Sequence, residues 1–183
     1  ASRCAGFLAR GFDNRLAGES AEPALLADFI ARGELIAQLY EEREFNKAMR
    51  EVVALADQAN QYIDEKKPWV LAKREGSESE VHAVCSVGIN LFRVLMTYLK
   101  PVLPAMAAKA ESFLACSLDW TELENALLDH TLGTFEPLLT RIDSKQVDAM
   151  VEASKQTAVT ASAAPAAQAN QADTIAFEDF AKL

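Results

Sequence analysis

The stretch LADQANQYIDEKKPWVLAK, residues 55–73, contains the end of a helix, a proline and a tryptophan in close succession. Its first part has the apolar spacing of a helix, and Pro68 ends that helix. Proline lacks an amide hydrogen and pushes the preceding Lys67 out of the α-helical region. The sequence therefore predicts that Trp69 lies on a stiff turn at a helix end.

Positive side chains surround this tryptophan along the chain: Lys66, Lys67, Lys73 and Arg74. A flat aromatic ring amid positive charge suits a single-stranded nucleic acid, because bases stack on the ring and cations screen the phosphates. The alternative is a tryptophan packed in a core with solvated lysines nearby, since large aromatic side chains are usually buried. Residue types alone leave both interpretations open.

Apolar residues recur at helical spacing through most of the chain, and no stretch before residue 143 alternates as a strand does. This pattern predicts an all-α protein, an antiparallel bundle of about five helices followed by a C-terminal helix and a tail. The fourth helix has apolar residues on two faces and is expected to be the central one. The first predicted helix ends near Phe12, and the second begins at Pro23. The third runs from about Glu44 to Glu65. The fourth begins at Gly76-Ser77-Glu78, and the fifth follows Pro104.

The remaining chain divides by composition into further segments. A short segment over Leu118–Leu128 and an irregular stretch to Pro137 complete a bundle of residues 1–142. An amphipathic helix over Ser144–Lys155 lies within residues 143–156. Residues 157–173 have almost no large apolar group, cannot offset their ordering entropy, and are predicted to be a flexible linker before residues 174–183.

The chain has 183 residues, half of them hydrophobic, and a net charge of −9. Such a charge argues against a broad nucleic-acid-binding surface, so an RNA site must be local. Cys4, Cys85 and Cys116 are too scattered for a zinc site or a disulfide framework, which favours a reducing cytoplasm. We find no signal peptide and no apolar run of about eighteen residues that spans a bilayer, so no membrane partner is expected.

No pattern of catalytic or metal-binding residues stands out. His82 and His130 lack zinc spacing and are expected to be surface histidines. There is no glycine-rich phosphate loop and no nucleophile motif. The sequence therefore predicts neither a catalytic residue nor a metal or cofactor bound by this chain.

Residues 55–73 resemble the anticodon-binding domain of bacterial methionyl-tRNA synthetases, whose pattern here is Ala-Asp-x-Ala-Asn-x-Tyr-Ile/Val-Asp-x-x-x-Pro-Trp-x-x-Ala-Lys. The resemblance spans nearly the whole chain and implies the helical bundle of class I synthetases. Residues 174–183 look like the opening of an appended tRNA-binding OB domain. Further matching blocks follow in order: Ala1–Arg3 with Gly6-Phe7 and Phe12-Asp13, Arg43–Phe45 with Lys47-Ala48 and Arg50-Glu51, Gly88–Pro104, Glu136–Leu139, and Arg141–Asp143.

In that family an arginine and an asparagine near the start of the first helix, with the tryptophan, read the cytidine that begins the methionine anticodon. Arg3 and Trp69 occupy the matching positions. The asparagine would lie two residues before Ala1, and Cys4 replaces an asparagine common in relatives. The resemblance thus implies that Arg3, Trp69, Asn60, Lys66, Lys67, Lys73 and Arg74 bind the CAU anticodon loop of methionine tRNA.

The resemblance also implies a larger cytoplasmic enzyme that ligates methionine to tRNA using ATP. Its catalytic domain would precede residue 1, so this chain is expected to be an excised fragment, inactive alone. A homodimer through the appended domain is a further implication.

Other interpretations remain open at this stage. Residue type alone favours a surface cap for Arg3 and a hydrogen bond to the tryptophan turn for Asn60. The chain as a whole also fits a protein-interaction bundle that docks through the Trp69 turn and the helix over Ser144–Lys155. A domain from a leucine, isoleucine or valine synthetase fits the Pro68-Trp69 pattern less well.

Overall fold

The computed structural model describes residues 1–139 and 143–163, with side chains of the final helix described to residue 154. It divides into two compact units, Ala1–Leu139 and Thr140–Leu183. The first unit contains the predicted bundle. Its helices are α1 (Ser2–Gly11), α2 (Pro23–Glu41), α3 (Phe45–Lys66), α4 (Pro68–Leu71), α5 (Glu78–Leu99) and α6 (Pro104–Leu114).

The all-α prediction is confirmed. Pro23, Pro68 and Pro104 each occupy the first turn of a helix, where the missing amide hydrogen costs nothing because that position has no intrahelical partner. After α6 comes one 3-10 turn over Trp120–Glu122. An isolated antiparallel bridge joins Arg15 and Thr131, and the part of the chain that the structure describes has no sheet.

Helix α5 is the central element, as its two apolar faces predict. It packs against α1, α2, α3, α4 and α6. Its length and hydropathy would also suit a membrane span, but 72% of that window is buried inside the bundle. This burial marks α5 as the core helix of the first unit, with Ile89, Leu91 and Tyr98 fully enclosed.

Gly33 in α2 allows a close approach between two helices. A Cβ atom at this position would lie 2.8 Å from the hydroxyl oxygen of Tyr98. That hydroxyl donates a hydrogen bond to the carbonyl oxygen of Phe29 at 2.9 Å. Glycine therefore lets α2 approach the Tyr98 side chain closely, and α2 and α5 are joined at this point.

Polar side chains on the otherwise apolar α5 hold the irregular stretch after α6. Arg93 is buried, and its guanidinium donates hydrogen bonds to the carbonyl oxygens of Glu122 and Asn125. The Asn90 amide donates to the carbonyl of Leu127 at 3.1 Å and accepts from the Leu127 amide at 2.8 Å. These bonds tie the predicted short segment over Leu118–Leu128 to the core helix.

The prediction that both histidines lie on the surface is wrong. His82 and His130 are half-buried. The ring of His82 stacks on Phe12 with centroids 4.2 Å apart, and its Nε2 lies 2.8 Å from the carbonyl oxygen of Arg15. The His130 Nε2 lies 2.7 Å from the Leu114 carbonyl oxygen. Each imidazole contacts a backbone carbonyl of a residue distant in the chain, and the sequence pattern does not predict these contacts.

The second unit contains α7, Ser144–Ala163. The predicted amphipathic helix over Ser144–Lys155 is therefore present but longer, and the flexible linker predicted from residue 157 is wrong for its first part. The physical reason is the alanine content of this stretch, because alanine has the highest helix propensity. The remaining linker and the stub over residues 174–183 lie outside the described residues.

Candidate nucleic-acid interface

The junction of α3 and α4 forms the turn that carries the tryptophan. Lys67 links the two helices in the left-handed conformation, with φ 47° and ψ 60°. Its amide donates to the carbonyl of Ile63 at 2.9 Å, and its own carbonyl accepts from the Val70 amide at 2.7 Å. Pro68 is buried behind this turn. Lys67 lies outside the α-helical region, as predicted, and Trp69 follows it as the second residue of the short helix α4.

Arg3 and Trp69, far apart in the chain, meet on the surface. The Arg3 Cζ atom lies 5.0 Å from the centroid of the Trp69 ring, an attractive arrangement of a cation over an aromatic face. Arg3 is exposed and the indole is half-buried. The core alternative for Trp69 is therefore not what the structure shows. We call this pair the Arg3–Trp69 surface.

A cleft of about 410 Å³ adjoins Arg3 on the α3 side. Asn60 and Asp64 line it together with the first residues of α1. Asn60 is exposed, and within the described residues its side chain forms no hydrogen bond to the tryptophan turn. The structure thus brings Asn60 beside Arg3 and leaves its amide accessible.

The four cations near Trp69 in sequence separate into two groups in space. Lys66 forms an ion pair with Glu22 at 2.9 Å and lies 5.6 Å from the Tyr62 ring. The hydrogen bond and charge of Glu22 raise the pKa of Lys66, so its charge is committed to that carboxylate. Lys67, Lys73 and Arg74 are exposed and make no ion pair within the described residues. They supply the positive charge that an RNA would meet.

Cys4 and Cys85 form a buried contact beneath Arg3 that sequence reasoning missed. Both thiols are buried, and the neighbouring Cys85 thiol lowers the pKa of Cys4 against the opposing effect of burial. The Cys4 sulfur also approaches Gly88, where a Cβ atom would lie 3.0 Å away. These contacts fix the start of α1 on α5 and so position Arg3. The spacing of the cysteines in the sequence bears on disulfides and zinc sites, and it does not predict this contact between Cys4 and Cys85.

Metal chemistry finds no support within residues 1–139 and 143–163. No group of three or more His, Cys, Asp or Glu side chains there is arranged to hold an ion. The Arg3–Trp69 surface provides an aromatic ring for stacking and a guanidinium that donates hydrogen bonds.

Comparison with known proteins identifies the family of this chain. The family model of the anticodon binding domain of methionyl tRNA ligase matches residues 15–154. The chain belongs to this family. The match includes Trp69 and the cations around it, and it begins after Arg3.

Solved structures show the same fold. Methionyl-tRNA synthetase of Mycobacterium tuberculosis in its free state superposes with a TM-score of 0.71 at 22% identity, covering 78% of this chain and 31% of that one. Its complex with methionyl-adenylate gives a TM-score of 0.69 at 22% identity, with 76% and 29% covered. The anticodon-binding domain described here thus spans about a third of those proteins.

Proposed function

We propose that this domain binds the anticodon loop of methionine tRNA and reads the first base of the CAU anticodon. The observation that carries the proposal is the exposed Arg3 guanidinium lying over the half-buried Trp69 ring. An unpaired cytidine would stack on the indole, and Arg3 would swing from above the ring to the polar edge of the base. Its rigid fork of donors suits the two acceptors on that edge.

The surrounding charge supports a local site. Lys67, Lys73 and Arg74 are exposed beside the turn and would hold neighbouring phosphates, and Asn60 offers an amide on the other side of Arg3. The net charge of −9 would discourage RNA from binding elsewhere. This balance predicts binding that is confined to the Arg3–Trp69 surface and weakens steeply with added salt.

The wider role follows from the family. We infer that the domain selects the tRNA for a cytoplasmic methionyl-tRNA synthetase, whose separate catalytic domain joins methionine to that tRNA. ATP would serve that domain, since the M. tuberculosis neighbour was solved with methionyl-adenylate, an adenylate of methionine. The domain itself would recognise the anticodon and carry out no reaction, and it would need that domain, and in a dimeric enzyme a second copy, as partners.

The test compares RNA hairpins that carry CAU or a changed first base, by fluorescence anisotropy. One base–aromatic stack contributes about 1–3 kcal/mol, so Trp69→Ala should weaken binding of the CAU hairpin by roughly ten- to over a hundredfold. Arg3→Gln should reduce the preference for cytidine. Phe45→Ala is the matched control, because Phe45 is an aromatic residue 54% exposed at the start of α3.

Equal binding of both hairpins by the unchanged chain would contradict the proposal. That result would favour the protein-interaction module, for which Val147, Met150 and Val151 are exposed on α7. Unaltered charging of methionine tRNA by a full-length enzyme with Trp69→Ala would contradict it as well.

A further inference from the structure

Gly88 lies at a point on α5 where side chains of α1 and α3 both reach the backbone. It is buried. A Cβ atom at this position would lie 3.0 Å from the Cys4 sulfur and 3.0 Å from the Cδ1 atom of Ile63. Ordinary van der Waals contacts of a Cβ atom are 3.4–4 Å, so both distances are too short. Glycine is therefore the residue that lets both neighbours rest on α5 as closely as they do.

Each of these two neighbours belongs to one half of the Arg3–Trp69 surface. Cys4 directly follows Arg3 in α1 and is buried. The carbonyl oxygen of Ile63 accepts the amide of Lys67 at 2.9 Å, and Trp69 comes two residues after Lys67. The guanidinium and the indole are thus each close in the chain to a side chain that contacts the same glycine.

A cleft between the start of α1 and α3 shows why this glycine matters. The cleft has a volume of about 160 Å³, and Cys4, Ile63 and Gly88 all line it. Open space therefore lies beside the two side chains, whereas both helices pack on α5. The separation of Arg3 from the turn that carries Trp69 consequently depends on how closely α1 and α3 each approach α5.

We propose that Gly88 is a positioning residue for base recognition, and that through Cys4 and Ile63 it sets where the Arg3 guanidinium lies relative to the Trp69 ring. This rests on the proposed function of the Arg3–Trp69 surface. A side chain at position 88 would displace its neighbours by a few tenths of an ångström. Hydrogen bonds weaken steeply with distance and angle, whereas stacking on a ring tolerates small shifts. Such a displacement should therefore reduce discrimination between bases more than it reduces binding.

The experiment measures the preference for a CAU hairpin over a UAU hairpin in variants that fill or empty this contact. Gly88→Ala adds the methyl group and should lower the preference by roughly three- to tenfold, about the value of one hydrogen bond. Cys4→Ala removes the sulfur, loosens the start of α1, and should lower it by about two- to threefold. If Gly88→Ala does not fold, Cys4→Ala alone decides, and an unchanged preference would overturn the proposal.

The decisive variant combines both changes. Gly88→Ala with Cys4→Ala exchanges the sulfur for a methyl group on the opposite helix, so the contact is filled again at nearly the same volume. The preference for cytidine should return to within about twofold of that of the unchanged chain. Ile63→Val, which removes the Cδ1 atom, should restore Gly88→Ala only in part, because that atom is the flexible end of its side chain.

Two other glycines are matched controls. A Cβ atom at Gly11, also in α1, would meet no atom within 4 Å, so Gly11→Ala should leave both stability and preference unchanged. At Gly33 a Cβ atom would lie 2.8 Å from the Tyr98 hydroxyl, away from the Arg3–Trp69 surface. Gly33→Ala should therefore melt at a lower temperature by circular dichroism and keep the preference for cytidine. A merely structural role would make Gly88→Ala behave like Gly33→Ala.

Failure of this proposal is distinguishable from failure of the proposed function. A preference for cytidine that survives Gly88→Ala, or that Cys4→Ala does not restore, would overturn the positioning role and leave the proposed function standing. Absence of any preference in the unchanged chain would overturn the proposed function.

In that second case Gly88 is judged without RNA, by the fluorescence of Trp69. This emission is the difference between each chain and its Trp69→Phe counterpart, and it responds to the position of the Arg3 charge over the ring. Gly88→Ala should change the emission, and the added Cys4→Ala should restore it. Emission that is the same in the unchanged chain and both variants would overturn the positioning role.

Discussion

Arg3 and Arg93 place the same guanidinium group in opposite environments. Arg3 is exposed above Trp69, whereas Arg93 is 4% exposed and donates to the carbonyl oxygens of Glu122 and Asn125. Both lie in helices, Arg3 in α1 and Arg93 in α5. The difference shows that the environment of an arginine in this bundle depends on its neighbours in the fold. An exposed guanidinium is available to a ligand, whereas a buried one donates hydrogen bonds to the backbone.

The two tryptophans show the same contrast. Trp69 lies on the turn after α3 with Arg3 over its ring. Trp120 lies in the irregular stretch, its ring centroid 4.9 Å from that of Tyr98 in the core. Both are half-buried, so exposure alone does not separate them. The two tryptophans differ in their neighbours. The following substitutions test whether the Arg3–Trp69 surface contributes less to stability than the polar face of α5.

The largest effect should come from Arg93→Met. The change leaves the carbonyls of Glu122 and Asn125 without their charged donor, and each such hydrogen bond contributes about 1.5–3 kcal/mol. We expect the free energy of unfolding in urea to fall by about 3 kcal/mol. Arg3→Met is the matched control and should lower it by less than about 0.5 kcal/mol. Similar losses in the two variants would contradict the division.

A smaller loss is expected from Trp120→Ala. Truncation removes the ring contact with Tyr98 and leaves a partly filled space, at a cost of about 2 kcal/mol in the free energy of unfolding. Trp69→Ala should cost less than about 1 kcal/mol, because its ring faces the exposed Arg3 guanidinium rather than the core. Denaturant titrations measure both. A Trp69→Ala variant that unfolds more easily than Trp120→Ala would show the indole to be a core residue.

The ion pair of Glu111 and Lys100 should make stability depend on pH. A hydrogen bond from the Leu118 amide, and then Lys100, hold the pKa of Glu111 below its ordinary value of 4.5. Because the pKa of Glu111 is lower in the folded state, its carboxylate contributes its full stabilisation above about pH 4.5. That stabilisation is lost as the pH falls through the folded-state pKa. Melting temperatures should therefore fall more steeply on acidification in the unchanged chain than in Glu111→Gln.

The control for this change is Glu124→Gln, an exposed glutamate in the stretch after α6. It should retain the acid dependence of the unchanged chain. Parallel curves for the unchanged chain and Glu111→Gln would mean that the carboxylate does not hold Leu118.

The smallest effect is expected at Tyr62. Its hydroxyl is buried and has no hydrogen-bond partner among the described residues, and burial raises the pKa of Tyr62. Removing an unpaired buried polar group is neutral or stabilising, so Tyr62→Phe should change the free energy of unfolding by no more than about 1 kcal/mol, toward greater stability. Tyr98→Phe is the contrast. Its hydroxyl donates to Phe29, and its loss should be destabilising.

Local chemistry was enough to predict most helices. Prolines at the first turns and apolar spacing placed α2, α3, α5 and α6 close to their observed bounds. The turn at Lys67-Pro68 was predictable for the same reason, because the proline ring restricts its neighbours whatever the rest of the fold does. The end of α7 was not, since alanine propensity extended the helix into a composition typical of linkers.

The candidate site was only partly predictable. Resemblance to the family pointed to Arg3 and Trp69 together, whereas residue types alone left each with a structural alternative. Sequence position places Lys66 with the other cations, but in the fold Glu22 forms an ion pair with it. Cys4 and Cys85 gave no sign of their contact, and Gly88 gained meaning only from its close approach to Cys4 and Ile63.

The sequence by itself determined that this protein is a helical bundle and that a tryptophan follows a rigid break after its third helix, because periodicity and proline geometry act over a few residues. Tertiary structure alone decided which polar groups meet. Arg3 reaches Trp69, and Arg93 reaches Glu122, only once α5 has gathered the other helices around it. Burial and contact depend on residues distant in the chain, which no local pattern records.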